Sequence, residues 1–352
     1  MTVRERAVSD PKAFLETAAE HLIIDEIQYA PHLLSYIKIL IDQERHKKGR
    51  FILTGSQQFI LIKNLGDSLA GRLAIFELLP FSLEETRSAL LKKISNTSSE
   101  EFFLNACLQG SYPEIVLDGN LDPEKWYSAY LQTYLERDVR TLHNIGNLRD
   151  FHRFLQSLAS RCSQVLNLSS IASDLGVAVN TIKRWISVLE ASRIIYLLSP
   201  YYQNLGKRMT KSPKIYFLDC GLACYLLGMR DKNSLLNGPF AGPLFENFCL
   251  QETVKSFLHK GVREQLYYVR TPHGLEIDLL VENNGKLYPV EFKKTKTLMP
   301  ALANPIQRLK NLFSKWPLAP GRIVSLSPEN ISLHREAAAQ SIKNYLHWLE
   351  NL

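Results

Sequence analysis

The 352-residue chain has no long apolar run, few cysteines and no leader pattern at its start. No stretch approaches the roughly 18 consecutive apolar residues of a membrane-spanning helix, so no membrane partner is expected. Residues 1–10 are charged rather than apolar, which argues against a secretory signal. The five cysteines form no C-x-x-C pair, and this odd, scattered set favours free thiols in a reducing cytoplasm.

The remaining composition is that of an ordinary globular protein of two or three domains, with 45% hydrophobic and 22% charged residues. A net charge of +7 and a pI near 9.0 make DNA a candidate partner without requiring it. The pattern changes twice along the chain, from alternating strands and helices to helices alone and back again. These changes predict three domains, at 1–85, 86–235 and 236–352.

The first domain alternates short apolar strands with helices, which is typical of a parallel α/β sheet. Asp10 followed by Pro11 predicts a helix N-terminus. Strands are predicted at Leu22–Ile24, Phe51–Thr54 and Leu73–Leu78. A helix with one apolar face is predicted after the first of these strands, from Pro31 onward.

Two carboxylates follow the first strand directly, in the pattern known as Walker B. In this interpretation Asp25 holds Mg²⁺ and Glu26 orients the attacking water. Both lie where parallel α/β sheets bind ligands, at the carboxyl end of a strand. Thr54 and Ser56 end the next strand with hydroxyls, as expected of a sensor strand beside a nucleotide. The alternative for the Asp25–Glu26 pair is a solvated turn.

The motifs together resemble those of bacterial and archaeal AAA-type ATPases that carry a C-terminal domain of unknown function. The resemblance implies a Mg-dependent ATPase with ATP and Mg as cofactors. It also implies an arginine finger or sensor at Arg72, for which a surface arginine in a turn is the alternative. The matching segments are Ile23-Ile24-Asp25-Glu26-Ile27-Gln28, Leu53-Thr54-Gly55-Ser56, Ala70-Gly71-Arg72, Tyr134-Leu135-Glu136-Arg137-Asp138 and Gly206-Lys207-Arg208.

The chain departs from that family at the phosphate-binding loop, G-x-x-x-x-G-K-[ST]. Only 24 residues precede Asp25 and none fits the motif, so the chain is expected to begin after the loop. Without the loop amides and lysine little cradles the β- and γ-phosphates, which predicts no ATP hydrolysis by this chain alone. The family's central strand is expected to be missing too. The remaining strands would then close up, order poorly, or take a strand from a partner or a second copy.

The middle domain contains three runs with helical spacing of apolar residues, followed by two short apolar strands. Three helices and a hairpin describe a winged helix-turn-helix. Gly176 lies in the turn between the second and third helices, and Ile194–Leu198 would pair with Lys214–Leu218 as the wing. The apolar runs are Phe151, Phe154, Leu155 and Leu158, then Leu168, Ile171, Ala172 and Leu175, then Ile182, Trp185, Ile186 and Leu189.

The third helix, Asn180–Glu190, would enter the major groove if this region binds DNA. Its exposed face offers groups that read base edges or hold phosphate. Two further basic residues lie between the wing strands. The alternative is a winged helix that serves only as a packing module between domains. The nucleic-acid candidates are therefore Asn180, Thr181, Lys183, Arg184, Lys207 and Arg208.

The last domain contains two strands, Leu275–Leu280 and Tyr288–Lys293, around an Asn-Asn-Gly turn suited to a hairpin. The order Asp278, hairpin, Glu291-x-Lys293 resembles the PD-(D/E)xK nuclease fold. The resemblance implies that Asp278 and Glu291 bind Mg²⁺ and that Lys293 stabilises the phosphate or positions water. Glu246, on a preceding helix, would be the fourth member. Solvated strand edges are the alternative.

The fold class is therefore α/β, with an incomplete parallel P-loop-type sheet, a helical winged-helix middle and a C-terminal α/β PD-(D/E)xK-like domain. Three functions remain open. The chain is an AAA-type ATPase family protein without ATP hydrolysis of its own, a metal-dependent nuclease, or a non-catalytic DNA-binding or adaptor protein.

Overall fold

The computed structural model describes residues 2–55, 69–90, 97–135, 148–201 and 212–352. Internal packing divides the chain into two compact units, Met1–Phe76 and Glu77–Leu352. The predicted sites at Ser56, Lys207 and Arg208 lie outside the described residues, as do Glu136, Arg137 and Asp138. The predicted boundary near residue 235 falls inside the second unit and stays a prediction.

In its described residues, the first unit pairs a two-stranded parallel sheet with three α-helices. Asp10 caps the second helix by accepting a hydrogen bond from the Ala13 amide, as the Asp10-Pro11 sequence predicts. Leu33, Leu34 and Ile37 of the third helix are buried in the core of this unit, which confirms its apolar face. The elements are α1 (Val3–Ser9), α2 (Pro11–Glu16), β1 (Leu22–Ile24), α3 (Leu33–Gln43) and β2 (Phe51–Leu53).

The third strand predicted for this region, Leu73–Leu78, is wrong. These residues are described and form neither strand nor helix. Ile75, Phe76 and Leu78 are largely exposed, with Leu78 at 96%. An apolar run predicts burial in a sheet only if a neighbouring strand supplies hydrogen bonds, and none of the described strands pairs with this segment.

The described part of the second unit begins with four short helices, of which three start at well-formed side-chain caps. Ser82 and Ser98 each form a capping box with a glutamate three residues later. Asp122 caps a helix that has proline at its first position. The helices are α4 (Leu83–Ala89), α5 (Ser99–Leu108), α6 (Pro113–Leu117) and α7 (Pro123–Tyr130), and one π-helical turn follows at Leu131–Leu135.

Three helices and an antiparallel hairpin follow at the positions that the apolar spacing predicts. They are α8 (Leu148–Ala159), α9 (Leu168–Leu175) and α10 (Val179–Ala191), then β3 (Ile195–Pro200) and β4 (Lys214–Phe217). Gly176 ends α9 with a φ of 69°, a left-handed conformation that glycine adopts without strain. β3 and β4 pair antiparallel, with Ile195 opposite Phe217.

A mixed eight-stranded sheet forms the centre of the second unit, in the order β4-β3-β5-β6-β7-β8-β10-β9. The predicted wing strands are thus part of the same sheet as the predicted nuclease strands, because β3 pairs with β5. The remaining elements are α11 (Cys220–Leu227), α12 (Lys232–Asn237), α13 (Ala241–Leu258), β5 (Leu266–Arg270), β6 (Glu276–Asn283), β7 (Lys286–Lys293), α14 (Asn304–Leu312), β8 (Gly321–Ser325), β9 (Ile331–His334), β10 (Ala337–Ser341) and α15 (Ile342–Glu350).

β6 and β7 form the tight hairpin that the Asn-Asn-Gly sequence predicts. Asn284 and Gly285 have φ of 49° and 72°, the pair of positive values that a two-residue primed turn requires. α13 and α15 cover one face of the sheet and contribute to the larger core, while α14 packs on the other. All five cysteines are buried and unpaired, in agreement with the free thiols expected. No helix among the described residues has the length and apolarity needed to cross a membrane.

Candidate functional site

Asp25 and Thr54 meet at the carboxyl ends of β1 and β2. The parallel register aligns Ile24 with Leu53, so the residues that follow each strand are neighbours. The Thr54 hydroxyl donates a hydrogen bond to Asp25 Oδ1. The Thr54 amide also donates to the Ile24 carbonyl at 2.9 Å. The predicted Walker B aspartate and sensor hydroxyl are therefore brought together.

Glu26 lies in the left-handed backbone region, with φ of 53°, at the turn after β1. Such a conformation costs a non-glycine residue about 1–2 kcal/mol and occurs often at functional sites. The turn is held because the Ile27 amide donates to the Thr54 carbonyl at 3.0 Å. Gln28 Nε2 donates to the Glu26 carboxylate. The side chain predicted to orient water is thus itself oriented by a residue that the sequence reasoning did not assign.

Among the described residues, Arg72 forms its ion pair with Asp42 and not with the Asp25–Glu26 turn. Its Nε and Nη2 atoms lie 2.8 and 3.0 Å from the two carboxylate oxygens of Asp42. The Arg72 guanidinium lowers the pKa of Asp42 through these hydrogen bonds. A planar, two-point contact of this kind fixes the guanidinium at Asp42. The arginine-finger role of Arg72 therefore has no contact in this structure behind it and stays a prediction.

The candidate DNA-reading face of α10 points to solvent. Asn180, Lys183 and Arg184 are exposed and Thr181 is half-buried, while Ile182, Trp185 and Leu189 are buried on the other side. Trp185 packs against Phe151 and Phe154 of α8. The helix is therefore anchored by aromatic packing and presents its polar residues outward.

Asp278, Glu291 and Lys293 come together on the β6–β7 hairpin. Lys293 Nζ lies 3.1 Å from Asp278 Oδ2 and 2.5 Å from Glu291 Oε2. The Phe292 amide donates to Asp278 Oδ2 at 2.9 Å, which fixes the aspartate against the neighbouring strand. Glu291 and Lys293 share a face because side chains alternate along a strand. The hairpin thus places these three side chains in contact with one another.

Glu291 is the most buried member of this group and has an unsatisfied oxygen. Only 1% of the residue is exposed, and Oε1 is buried without a hydrogen-bond partner. Burial and the nearby Asp278 carboxylate raise the pKa of Glu291 to about 8, against the opposing effect of Lys293. Burial opposes the charge of Lys293, but the two carboxylates raise the pKa of its ammonium above the usual range. Two close carboxylates in a desolvated position favour binding of a cation.

Glu246 of α13 lies beside this group and is contacted by strand β4. Its Oε1 accepts hydrogen bonds from the Tyr216 hydroxyl at 2.6 Å and from Lys214 Nζ at 3.2 Å. Lys214 also lies 2.6 Å from Glu276 Oε1. Burial and the Asp278 carboxylate raise the pKa of Glu246 to about 7, against the opposing effect of Lys214.

Lys214 and Tyr216 lie at this site, although the sequence pattern predicts only a wing strand for them. Their place at the site depends on the pairing of β3 with β5, residues 199–200 with residues 267–268, which adds the β3–β4 hairpin to the sheet that holds Asp278 and Glu291. Among the described residues, no cluster of three or more His, Cys, Asp or Glu side chains is arranged to hold a metal ion. A cation at this site would therefore rest on the carboxylate pair of Asp278 and Glu291.

Family comparisons match three consecutive parts of the chain. Residues 2–87 match a family described as an AAA domain. Residues 100–233 and 241–345 match two domains of unknown function, DUF8612 and DUF4143. The first and last matches support an AAA-like ATPase family member, as the sequence motifs predict.

Curated relatives include uncharacterised proteins from bacteria and an archaeon. One from Mycobacterium tuberculosis is 30% identical over 290 residues, which is 82% of this chain and 62% of the relative. One from Methanocaldococcus jannaschii is 24% identical over 283 residues, covering 76% of this chain and 59% of the relative. The chain thus spans about three-fifths of the length of these relatives.

Among solved structures, the crystal structure of a Vibrio cholerae protein aligns with 99% of this chain, and the alignment covers 92% of the Vibrio cholerae chain. Its sequence identity is 15% and its TM-score 0.22, so the likeness supports no argument about fold or function. These relatives are described as uncharacterised, so their names assign no activity to the chain.

Proposed function

We propose that this chain, which is similar to an AAA domain over residues 2–87, carries a divalent-metal-dependent nuclease site at Asp278, Glu291 and Lys293. The observation that carries the proposal is the Glu291 carboxylate, which is buried beside Asp278 with one oxygen lacking a partner. A buried polar group without a hydrogen-bond partner costs free energy and calls for a functional reason. A cation bound between the carboxylates would supply one.

The donor set fits Mg²⁺ better than a transition metal. All candidate ligands are carboxylate oxygens, which suit Mg²⁺, Ca²⁺ and Mn²⁺. Mg²⁺ in particular keeps several waters and is commonly held by one or two carboxylates together with substrate phosphates. Asp278 and Glu291 are therefore enough protein ligands. A bound Mg²⁺ would polarise a phosphoryl oxygen and make its water a better nucleophile.

Lys293 has two roles in this proposal. Its ammonium contacts both carboxyl groups, and once metal binding ionises Glu291 it offsets the repulsion between the two like charges. Its side chain is 33% exposed, so a phosphodiester can approach it. There the ammonium would neutralise the charge that develops on the phosphate as the P–O bond breaks.

A cleavage assay tests the proposal on single- and double-stranded DNA and on RNA, with Mg²⁺, with Mn²⁺ and with EDTA. We expect metal-dependent cleavage that Asp278→Ala and Lys293→Ala each abolish. Glu329→Gln, at an exposed position, is the matched control and should cleave like the wild type. Cleavage that survives in both site variants would show that the activity comes from elsewhere.

A second candidate function is nucleotide binding at the Asp25–Glu26 turn. The hydrogen bond from Thr54 to Asp25 and the strained backbone of Glu26 favour it, together with the AAA match. The residues present supply a Mg²⁺-side half of such a site but no phosphate-binding loop. We infer that this chain alone does not turn over ATP. Phosphate release by the chain that Asp25→Ala abolishes would disprove that inference.

The polar face of α10 supports DNA as a partner of the second unit. Lys183 and Arg184 provide two exposed cations on one helix face, with Asn180 one turn earlier. Such a face holds phosphates and reads base edges. The alternative, a non-catalytic DNA-binding or adaptor protein, would retain this binding and show no cleavage in the assay above.

A further inference from the structure

Lys214 is a lysine buried almost completely among carboxylates of the candidate nuclease site. The residue is 3% exposed, and its ammonium contacts Glu246 and Glu276 at 3.2 and 2.6 Å. Burying an ammonium is unfavourable unless it is well paired, and apolar residues of similar size often stabilise a fold at least as well. Fold stability alone is therefore a weak reason for a lysine at this position.

Tyr216 lies two residues along β4, on the same face as Lys214. Its hydroxyl donates to the same Glu246 oxygen at 2.6 Å, and the residue is 1% exposed. Two buried donors therefore converge on Glu246 Oε1. Together they restrict the rotamer of the glutamate and direct its carboxylate.

The position of α13 against β4 is fixed by the residue next to Glu246. The Phe217 amide donates to Asn247 Oδ1 at 2.7 Å, and Asn247 Nδ2 donates to the Phe217 carbonyl at 3.0 Å. Asn247 is fully buried. This paired contact sets the helix at one height along the strand, so that Glu246 faces Lys214 and Tyr216.

We propose that Lys214 and Tyr216 are positioning residues of the nuclease site, which hold the Glu246 carboxylate in place beside Asp278. The inference rests on the proposed nuclease function. The proposal gives strand β4 of the β3–β4 hairpin a role in the nuclease site. This hairpin comes directly after α10 in the chain and before α13. The Lys214 ammonium lies between the carboxylates of Glu246 and Glu276. Its positive charge offsets their mutual repulsion and so keeps the two side chains close together.

The test measures Mn²⁺ affinity by titration calorimetry and metal-dependent cleavage in parallel. We expect Lys214→Met to weaken both by about 10- to 100-fold, the range for outer residues that orient a metal site. The reason is that Glu246, once released, would no longer hold its carboxylate in place beside the metal-binding Asp278. Lys214→Arg keeps a cation and two or more donors, and should restore most of each. Lys310→Met removes a different ion pair, with Glu336, and should change neither.

Tyr216→Phe provides the second variant, because it removes one oxygen and leaves the ring in place. It should weaken cleavage in the same direction as Lys214→Met, and it keeps the proposal testable if Lys214→Met does not fold. Wild-type affinity and cleavage in a folded Lys214→Met protein would overturn the proposal. Tighter Mn²⁺ binding would overturn it as well, because Lys214 would then act only as a competing charge.

The two proposals fail in different ways. If the wild type binds Mn²⁺ and cleaves no nucleic acid, the nuclease function is wrong, and the Mn²⁺ affinities of the variants still decide the role of Lys214. If the wild type cleaves and the Lys214 and Tyr216 variants cleave equally well, only the positioning role is wrong. If the wild type neither binds Mn²⁺ nor cleaves, both proposals are wrong.

Discussion

Replacing Glu291 by glutamine should make the metal-free protein more stable while it abolishes cleavage. Burial and Asp278 raise the pKa of Glu291 to about 8, whereas a glutamate in an unfolded chain titrates near 4.3. At pH 7 the folded protein therefore holds a proton that the unfolded chain releases. The free energy of unfolding falls as pH rises between these two values, by about 3–4 kcal/mol at pH 7.

Glutamine removes that cost but also weakens the contact with Lys293, whose side chain is partly exposed to solvent. We expect a net gain of about 1–3 kcal/mol at pH 7, equivalent to roughly 2–4 °C in Tm for each kcal/mol in a unit of this size. The gain should shrink at pH 5, because Glu291 is still protonated in the folded state and the pH is close to the pKa of glutamate in the unfolded chain. A gain of this kind is common when a site favours function over stability.

The assay is thermal unfolding in EDTA at pH 5 and pH 7, with Glu329→Gln as the exposed control. A Glu291→Gln protein that is less stable than the wild type at pH 7, or equally stabilised at both pH values, would refute the reasoning. Calorimetry of the wild type gives an independent check. Mg²⁺ binding at pH 7 should release protons, because the carboxylate must ionise to bind metal, and Glu291→Gln should remove that release.

Two further predictions concern DNA binding and packing. Alanine at both Lys183 and Arg184 should weaken DNA binding, measured by fluorescence anisotropy. The slope of log K against log salt concentration should become less steep by about 1–2. Lys12→Ala is the control, and an unchanged slope in the double variant would exclude α10 as the DNA contact. Gly110→Ala should cost about 2–5 kcal/mol in chemical denaturation, because φ is +84° and the new Cβ would lie 1.8 Å from a buried tyrosine hydroxyl. Gly119→Ala meets nothing within 4 Å and should be close to neutral, and equal effects at the two glycines would contradict this packing.

Local patterns in the sequence determined much of what the structure contains. Helical spacing of apolar residues predicted α8, α9 and α10, because a helix buries one face whatever it packs against. The Asn284-Gly285 turn predicted the β6–β7 hairpin, because few residues accept the positive φ that it needs. That hairpin then brings Asp278, Glu291 and Lys293 together through local strand pairing alone.

Only the tertiary structure decided which distant elements share a sheet. The apolar segment Leu73–Leu78 had the composition of a strand, yet the described residues offer it no strand to pair with. The pairing of β3 with β5, and the position of α13 against β4, bring Lys214 and Tyr216 to Glu246. Contacts between residues far apart in sequence depend on the packing of the whole sheet, which no local pattern encodes.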